Sequence, residues 1–385
     1  MKIVCAPDSF KESLSAAAAA HALERGIRAV WPGAEVVRVP MADGGEGTCQ
    51  VLAEALGGDL VEVECADALG RPRTAVMAHL PDQRLAVIEV ATACGLEWVE
   101  PPLRDARTAS SSGVGQLLRR ALDLGVSRIL LGLGGSATND AGAGMMTALG
   151  ARFLDATGAE LPAGGAALAG LDRIDLSGLD PRVAGVRITL ASDVDNPLLG
   201  ERGASAVFGP QKGASPEAVA ELDAALTRWA EVVEPAAGRS VRYTPGAGAA
   251  GGLGAAFLAF FDTTLESGTE LVMDAVGMSR ALVGADYVFT GEGGFDAQSA
   301  AGKVPVRVAR RAHAAGVPTI VFAGRVDPVA ELDPELPVAA VVPIVRGVGS
   351  LADALAEGAA NLERASALVC RLLEVAASRP KPAGD

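Results

Sequence analysis

Five times along these 385 residues a short apolar run breaks into a loop of glycines, acids and hydroxyl side chains. Ile3-Val4-Cys5-Ala6 leads into Pro7-Asp8-Ser9-Phe10-Lys11-Glu12-Ser13, and Val36-Val37-Arg38-Val39 leads into Pro40-Met41-Ala42-Asp43-Gly44-Gly45-Glu46-Gly47-Thr48. Arg128-Ile129-Leu130-Leu131 precedes Gly132-Leu133-Gly134-Gly135-Ser136-Ala137-Thr138-Asn139-Asp140-Ala141-Gly142-Ala143-Gly144, the richest loop of the set. Ile188-Thr189-Leu190-Ala191 and Tyr287-Val288-Phe289-Thr290 lead into loops carrying Asp193 and Glu292. Apolar runs this short, bounded by turn residues, read as buried strands, and the segments beyond several of the loops read as helix. Strand, acidic loop and helix in repetition specify an α/β fold, in which ligands bind outside the carboxyl ends of the strands. Any one of these loops is satisfied by a tight turn. Five of one chemical type point to a shared cleft.

The glycine-rich turn at 132–144 also exposes backbone N–H groups ahead of a helix, a natural seat for a phosphate. Composition narrows the partners. A formal charge of −14 with no basic patch argues against nucleic acid. No apolar run reaches membrane-span length, and the start is too short and too soon acidic for a signal peptide. The five cysteines (5, 49, 65, 94 and 370) form no CxxC and no metal spacing, so a cytoplasmic protein with reduced, buried thiols is expected.

Missing residues narrow the chemistry. None of the three histidines, His21, His79 and His313, lies in the five loops, so a base must be Asp or Glu. There is no GxxxxGK[ST] loop and no protein-kinase signature set. Gly246-Ala247-Gly248-Ala249-Ala250-Gly251 matches GxGxxG, but Tyr243-Thr244-Pro245 precedes it where a dinucleotide fold needs an apolar strand. Only five lysines stand among 33 basic residues, and Lys11, Lys212 and Lys303 all sit in glycine- or acid-rich loops. Arginine does not freely replace a compact ammonium on a phosphate. Lys2 and Lys381 read as surface charge.

Helices are expected over 14–30, with Ser13 as N-cap, and over 47–57, 113–124, 216–233, 304–315 and 350–377. Strands are expected at 60–65, 73–79, 85–90, 286–290, 319–322 and 338–342, while 150–185 has no clear period and 379–385 reads as a frayed tail. The two ends read as regular parallel α/β and the middle reads differently. The expectation is one domain from residues 1–70 and 285–385, an inserted domain from 71–284, and a site in the cleft between them.

Longer motifs carry a resemblance. Ala6-Pro7-Asp8-Ser9-Phe10-Lys11-Glu12-Ser13-Leu14, Ala42-Asp43-Gly44-Gly45-Glu46-Gly47-Thr48, Gly134-Gly135-Ser136-Ala137-Thr138-Asn139-Asp140 and Phe208-Gly209-Pro210-Gln211-Lys212-Gly213-Ala214 resemble bacterial class I glycerate kinases. So do Pro245 to Gly252 and Gly302-Lys303-Val304-Pro305, in order along nearly the whole chain. The resemblance implies two α/β domains, a flavodoxin-like, Rossmann-like parallel-sheet domain built from both chain ends and a second α/β domain inserted between. It implies transfer of the γ-phosphate of ATP to D-glycerate with Mg²⁺, giving 2-phosphoglycerate. A small-molecule substrate, no nucleic acid, no membrane and a homodimer as the candidate assembly complete the expectation. A kinase of another small hydroxy acid, or a non-enzymatic metabolite sensor on the same fold, are the alternatives.

On that resemblance, Asp193 is expected as the base, with Asp43 second and Lys11 on the phosphates. Gly134, Gly135, Ser136, Asn139, Lys212 and Lys303 would bind the nucleotide phosphates. Asp8, Ser9, Ser110 and Ser111 would bind substrate, and Glu292 and Asp296 would hold Mg²⁺. Two positions depart from the family pattern: Gly294 stands where an arginine is usual, and Cys94 where serine is frequent. Arg325, after a nearby expected strand, is the candidate to compensate for Gly294.

Overall fold

The computed structural model describes residues 1–296, 299, 302–327 and 336–378. Lys381 and the expected tail at 379–385 lie outside them. The strands are β1 (Lys2–Cys5), β2 (Glu35–Arg38), β3 (Asp59–Ala66), β4 (Pro72–Leu80), β5 (Leu85–Glu89), β6 (Arg128–Gly132), β7 (Arg152–Leu154), β8 (Arg173–Asp175), β9 (Arg187–Ala191), β10 (Asp262–Glu266), β11 (Tyr287–Phe295), β12 (Thr319–Val326) and β13 (Ala340–Pro343).

The chain divides into two compact units, Met1–Asp43 with Val272–Asp385, and Gly44–Leu271. The discontinuous unit is built from both chain ends. Its boundaries differ from the expected 70/71 and 284/285. Residues 59–66 are not part of the outer domain, because β3 pairs along its whole length with β4, from Asp59↔His79 to Ala66↔Pro72.

The first unit holds an all-parallel sheet in the order β13-β12-β11-β1-β2. The chain runs from β1 outward to β2 on one side, and from β11 outward to β12 and β13 on the other. The order therefore reverses between β1 and β11, which opens a crevice at their carboxyl ends. Helices Ala16–Val30 and Gly358–Ala377 pack on this sheet. Ile3, Leu23, Ile27, Phe289, Phe322 and Val369 are buried together there, each contributing about 1.5–3 kcal/mol by leaving water. The first helix begins two residues later than expected: Ser15, not Ser13, caps it by accepting the Ala18 N–H at 3.2 Å. Ser13 instead donates to Leu355 O at 2.6 Å. The expected helix at 350–377 is two helices that meet at Glu357–Gly358.

The second unit holds a mixed sheet in the order β10-β9-β6-β5-β4-β3. Strands β5, β6, β9 and β10 run parallel, and the β3–β4 hairpin closes one edge antiparallel. Met77, Ile88, Leu131, Leu190, Trp229 and Phe257 lie in its core. The segment 150–185, unplaced from sequence, forms the two-stranded β7–β8 sheet and short 3₁₀ turns. All five cysteines are buried and free. Among the described residues no helix is long and apolar enough to cross a membrane.

Candidate active site

Two polar constellations stand out, one in each unit. In the first unit, a cavity of about 320 Å³ opens at the sheet reversal. The loop after β1 supplies Asp8, Ser9 and Lys11, the loop after β2 supplies Asp43, and β11 supplies Glu292 and Gly294. Lys303 and Arg325 complete the charged lining. The loop after β1 is fixed by its backbone: Ala6 N–H donates to Phe289 O at 2.8 Å and Asp8 N–H to Gly291 O at 2.9 Å. Glu12, next to Lys11, has φ +61°, a left-handed conformation that costs a non-glycine residue of order 1 kcal/mol and persists only where surrounding structure holds it.

Burial pushes the Asp8 carboxyl well above the carboxylate range, and the charge of Asp43 adds to the shift. The Ser9 N–H, 2.7 Å from Asp8 Oδ1, opposes it. Glu292 is 7% exposed, is likewise raised by burial, and has Oε1 without a hydrogen-bond partner. Glu292 lies inside a strand, not in the loop expected from Gly291 onward. Strand β11 runs on to Phe295, in register with β12 from Val288↔Thr319 to Phe295↔Val326.

That register makes Gly294 and Arg325 direct neighbours. A Cβ at Gly294 would sit 3.9 Å from Arg325 Nε, so the guanidinium occupies the space beside the missing side chain. Arg325 Nη2 reaches Asp296 Oδ2 at 3.5 Å, and Lys303 Nζ lies 4.0 Å from Asp296 Oδ1. Asp296 also accepts Ser299 N–H at 3.1 Å. It is thus a counter-ion and cap, and the two expected metal ligands differ in kind: the oxygen left over is on Glu292.

In the second unit the turn at 132–144 buries its polar side chains and exposes Gly134 and Gly135. Asp140 is its hub. It accepts Ser111 N–H at 2.8 Å, Ser111 Oγ at 2.9 Å, Gly142 N–H at 3.1 Å and Gly144 N–H at 3.2 Å. Ser111 Oγ in turn accepts Met145 N–H at 3.0 Å, so Ser111 is a strut. Asn139 Nδ2 donates to Ser205 Oγ at 3.0 Å, and Lys212 Nζ donates to Ser136 Oγ and Thr138 O. Ser110 faces a separate cavity of about 410 Å³, whose other lining residues include Leu69, Gln116, Thr147, Phe153 and Leu161, with no charged side chain among the described residues that line it. Asp193 is exposed after β9, with Thr269 Oγ1 at 3.4 Å from its Oδ2. The GxGxxG segment packs under the turn: Ala141 N–H donates to Gly251 O at 3.0 Å, and a Cβ at Gly251 would come 2.0 Å from Thr138 O. Gly251, at φ +68°, serves close approach and not a dinucleotide.

Sequence reasoning named Asp8, Ser9, Lys11, Asp43, Glu292 and Lys303 for separate tasks, and one cavity holds all six. It missed Glu89, 3% exposed at the end of β5. Glu89 accepts Cys49 N–H at 2.6 Å and Gly47 N–H at 3.2 Å, and so caps the helix Thr48–Leu56. An acid closing an apolar strand was its only signal.

The glycerate kinase family profile matches residues 3–374. A Haemophilus influenzae protein named glycerate kinase is 46% identical over 97% of this chain and 99% of its own length. An Escherichia coli protein named glycerate 2-kinase is 44% identical over 97% of this chain and 98% of its own. A Salmonella typhimurium protein solved as glycerate kinase 2 superposes with a TM-score of 0.87 at 46% identity, covering 98% of this chain and 100% of that one. With the motifs in order and both sheets in place, the chain belongs to the glycerate kinase family and is a kinase.

Proposed function

We propose that the chain transfers the γ-phosphoryl group of ATP to the 2-hydroxyl of D-glycerate, with Mg²⁺, in the cytoplasm. The observation that carries this reading is the first-unit cavity, where three acids and the cations Lys11, Lys303 and Arg325 line one space. Phosphoryl transfer requires that combination: cations for the phosphates, a carboxylate for the attacking hydroxyl and acids for a metal. The name of the Escherichia coli relative supports attack by the 2-hydroxyl.

Asp8 accepts the proton of the glycerate hydroxyl, its basicity raised by burial and by Asp43. The freed oxygen forms its bond to the γ-phosphorus as the bond from that phosphorus to the bridging oxygen breaks, and ADP leaves. Ser9 orients glycerate, and Lys11 and Lys303 bear on the phosphates. Asp193, the base expected from sequence, does not line this cavity, so the proton is assigned to Asp8. Mg²⁺, when bound, offsets charge on the phosphate oxygens. Glu292, with its orphaned buried oxygen, and Asp43 would hold it. Among the described residues no group of three potential ligands stands ready for a metal, which fits an ion whose shell is completed by phosphate and water. In the second unit, the exposed Gly134 and Gly135 amides suit phosphate oxygens, and the uncharged cavity beside Ser110 suits a base.

The test is ATP-dependent phosphorylation of D-glycerate, coupled to enolase with and without phosphoglycerate mutase. Signal without mutase is expected. Signal only with mutase would move the attack to the 3-hydroxyl, and no ADP release would point to another hydroxy acid. Arg325→Ala is expected to lower kcat about 10–100-fold, less than a fully enclosed donor would, because its side chain is 74% exposed. Unchanged kinetics would remove Arg325 from the mechanism.

A further inference from the structure

Lys212 is 3% exposed, yet its hydrogen-bond partners among the described residues are a hydroxyl and a carbonyl, not a carboxylate. Its partners are Ser136 Oγ at 3.0 Å and Thr138 O at 2.7 Å. Both belong to the turn whose next residues are held from other directions: Ala137 N–H by Cys94 O at 2.8 Å, Asn139 by Ser205, and Ala141 by Gly251. The lysine ends a 3₁₀ turn, Pro210–Lys212, that is itself seated tightly, since a Cβ at the following Gly213 would come 2.1 Å from Arg104 O. An ammonium with no carboxylate in contact, and only the more distant Asp140 to offset its charge, is costly to bury, and a residue of similar length without charge would pack there at least as well. Stability therefore gives no reason for a cation at this position.

We propose that Lys212 is a positioning residue for the anion seat of the second unit: its buried ammonium fixes Ser136 and Thr138 and places a positive charge behind the exposed Gly134 and Gly135 amides. This rests on the reading that the chain binds ATP, and it changes the role expected from sequence, since a lysine bonded inward acts on phosphate through the turn. The charged and titratable groups facing it are Cys94 and Asp140, with the Arg104 guanidinium turned away to Val99 O and Leu96 O. Burial lowers the Lys212 pKa to about 8, against the pull of the Asp140 carboxylate. The Cys94 thiol, pushed up to about 12, stays neutral throughout that range. A neutral amine keeps two N–H donors for its two acceptors, so deprotonation removes charge and leaves the turn held.

The experiment compares the full chain with Lys212→Met, Lys212→Gln and Ser136→Ala. Wild-type ADP release from ATP and D-glycerate is measured first, and its absence would overturn the kinase reading itself. Given that activity, kcat/KM for ATP is expected to fall on a limb centred near pH 8 in wild type. Lys212→Met should lower kcat/KM for ATP about 100-fold, abolish that limb and leave the melting temperature equal or higher. Lys212→Gln, which keeps donors without charge, should fall between. Ser136→Ala, which keeps the charge and removes one of its two acceptors, should cost about tenfold and keep the limb. The inference is overturned if Lys212→Met lies within threefold of wild type, or if its loss is matched by a collapse in melting temperature. Should that variant not fold, absence of the wild-type limb together with unchanged Ser136→Ala kinetics overturns it equally.

Discussion

Replacing Asp8 with asparagine is expected to reduce turnover about 1000-fold while leaving the metal-free protein as stable or more so. The loss follows from the proton it accepts. The stability follows from its surroundings, where burial, Asp43 and Glu292 all work against its charge. The sign is fixed by the direction of the shift. A carboxyl raised in the folded state binds protons more tightly folded than unfolded. Its contribution is therefore most favourable below the ordinary carboxylate range and declines as pH rises through the raised value. Asparagine removes that decline, so the gain in melting temperature of Asp8→Asn over wild type should be larger at pH 8 than at pH 5. Functional sites commonly hold such strain at the expense of stability. A variant with turnover within tenfold of wild type would place the base elsewhere, and Asp193→Asn becomes the decisive measurement. Equal loss in that variant alone would return the role to the loop after β9.

Asp140→Ala is expected to lose roughly 3–5 kcal/mol of stability, because three backbone N–H groups and one hydroxyl would be left buried without an acceptor. The damage should spread along the 132–144 turn, since Ser111 links the same carboxylate to Met145 N–H. Chemical denaturation gives the magnitude, and hydrogen exchange at Gly142, Gly144 and Met145 gives the location. Loss below about 1 kcal/mol would mean that water replaces the carboxylate, and the turn would not depend on it. Asparagine should recover part of the loss, as its single carbonyl accepts some of the donors.

Much of the sheet was legible because its strands are short, apolar and punctuated. The runs at 3–6, 85–90, 128–131, 188–191 and 286–290 coincide with β1, β5, β6, β9 and the first half of β11. What escaped has physical causes. Three-residue strands such as β7 and β8 carry no period. A glycine-rich strand end looks like a turn until its partner is known, which hid Glu292 within β11. The place where one unit ends depended on the β3–β4 pairing, a long-range fact. Lysine in a glycine loop reads as solvated, so the burial of Lys212 gave no sign, and neither did the joining of Ser111 to Asp140 across 29 residues. Residue types at the site were readable in sequence, and their division into those that face a cavity and those that brace it was not.

The central position of β1 also sets a schedule for synthesis. Ile3 must wait for Tyr287, and at ordinary translation rates of about 5–20 residues per second the delay is roughly 15–60 s. The unit spanning Gly44–Leu271 is made within that interval and is fully synthesised only near its end, and until then β1 and the apolar face of Ala16–Val30 have only β2 for company. A two-stranded pair is marginal alone. The segment Met1–Asp43 is thus made long before the β11 partner that encloses it, and its apolar residues stay unshielded longest during elongation.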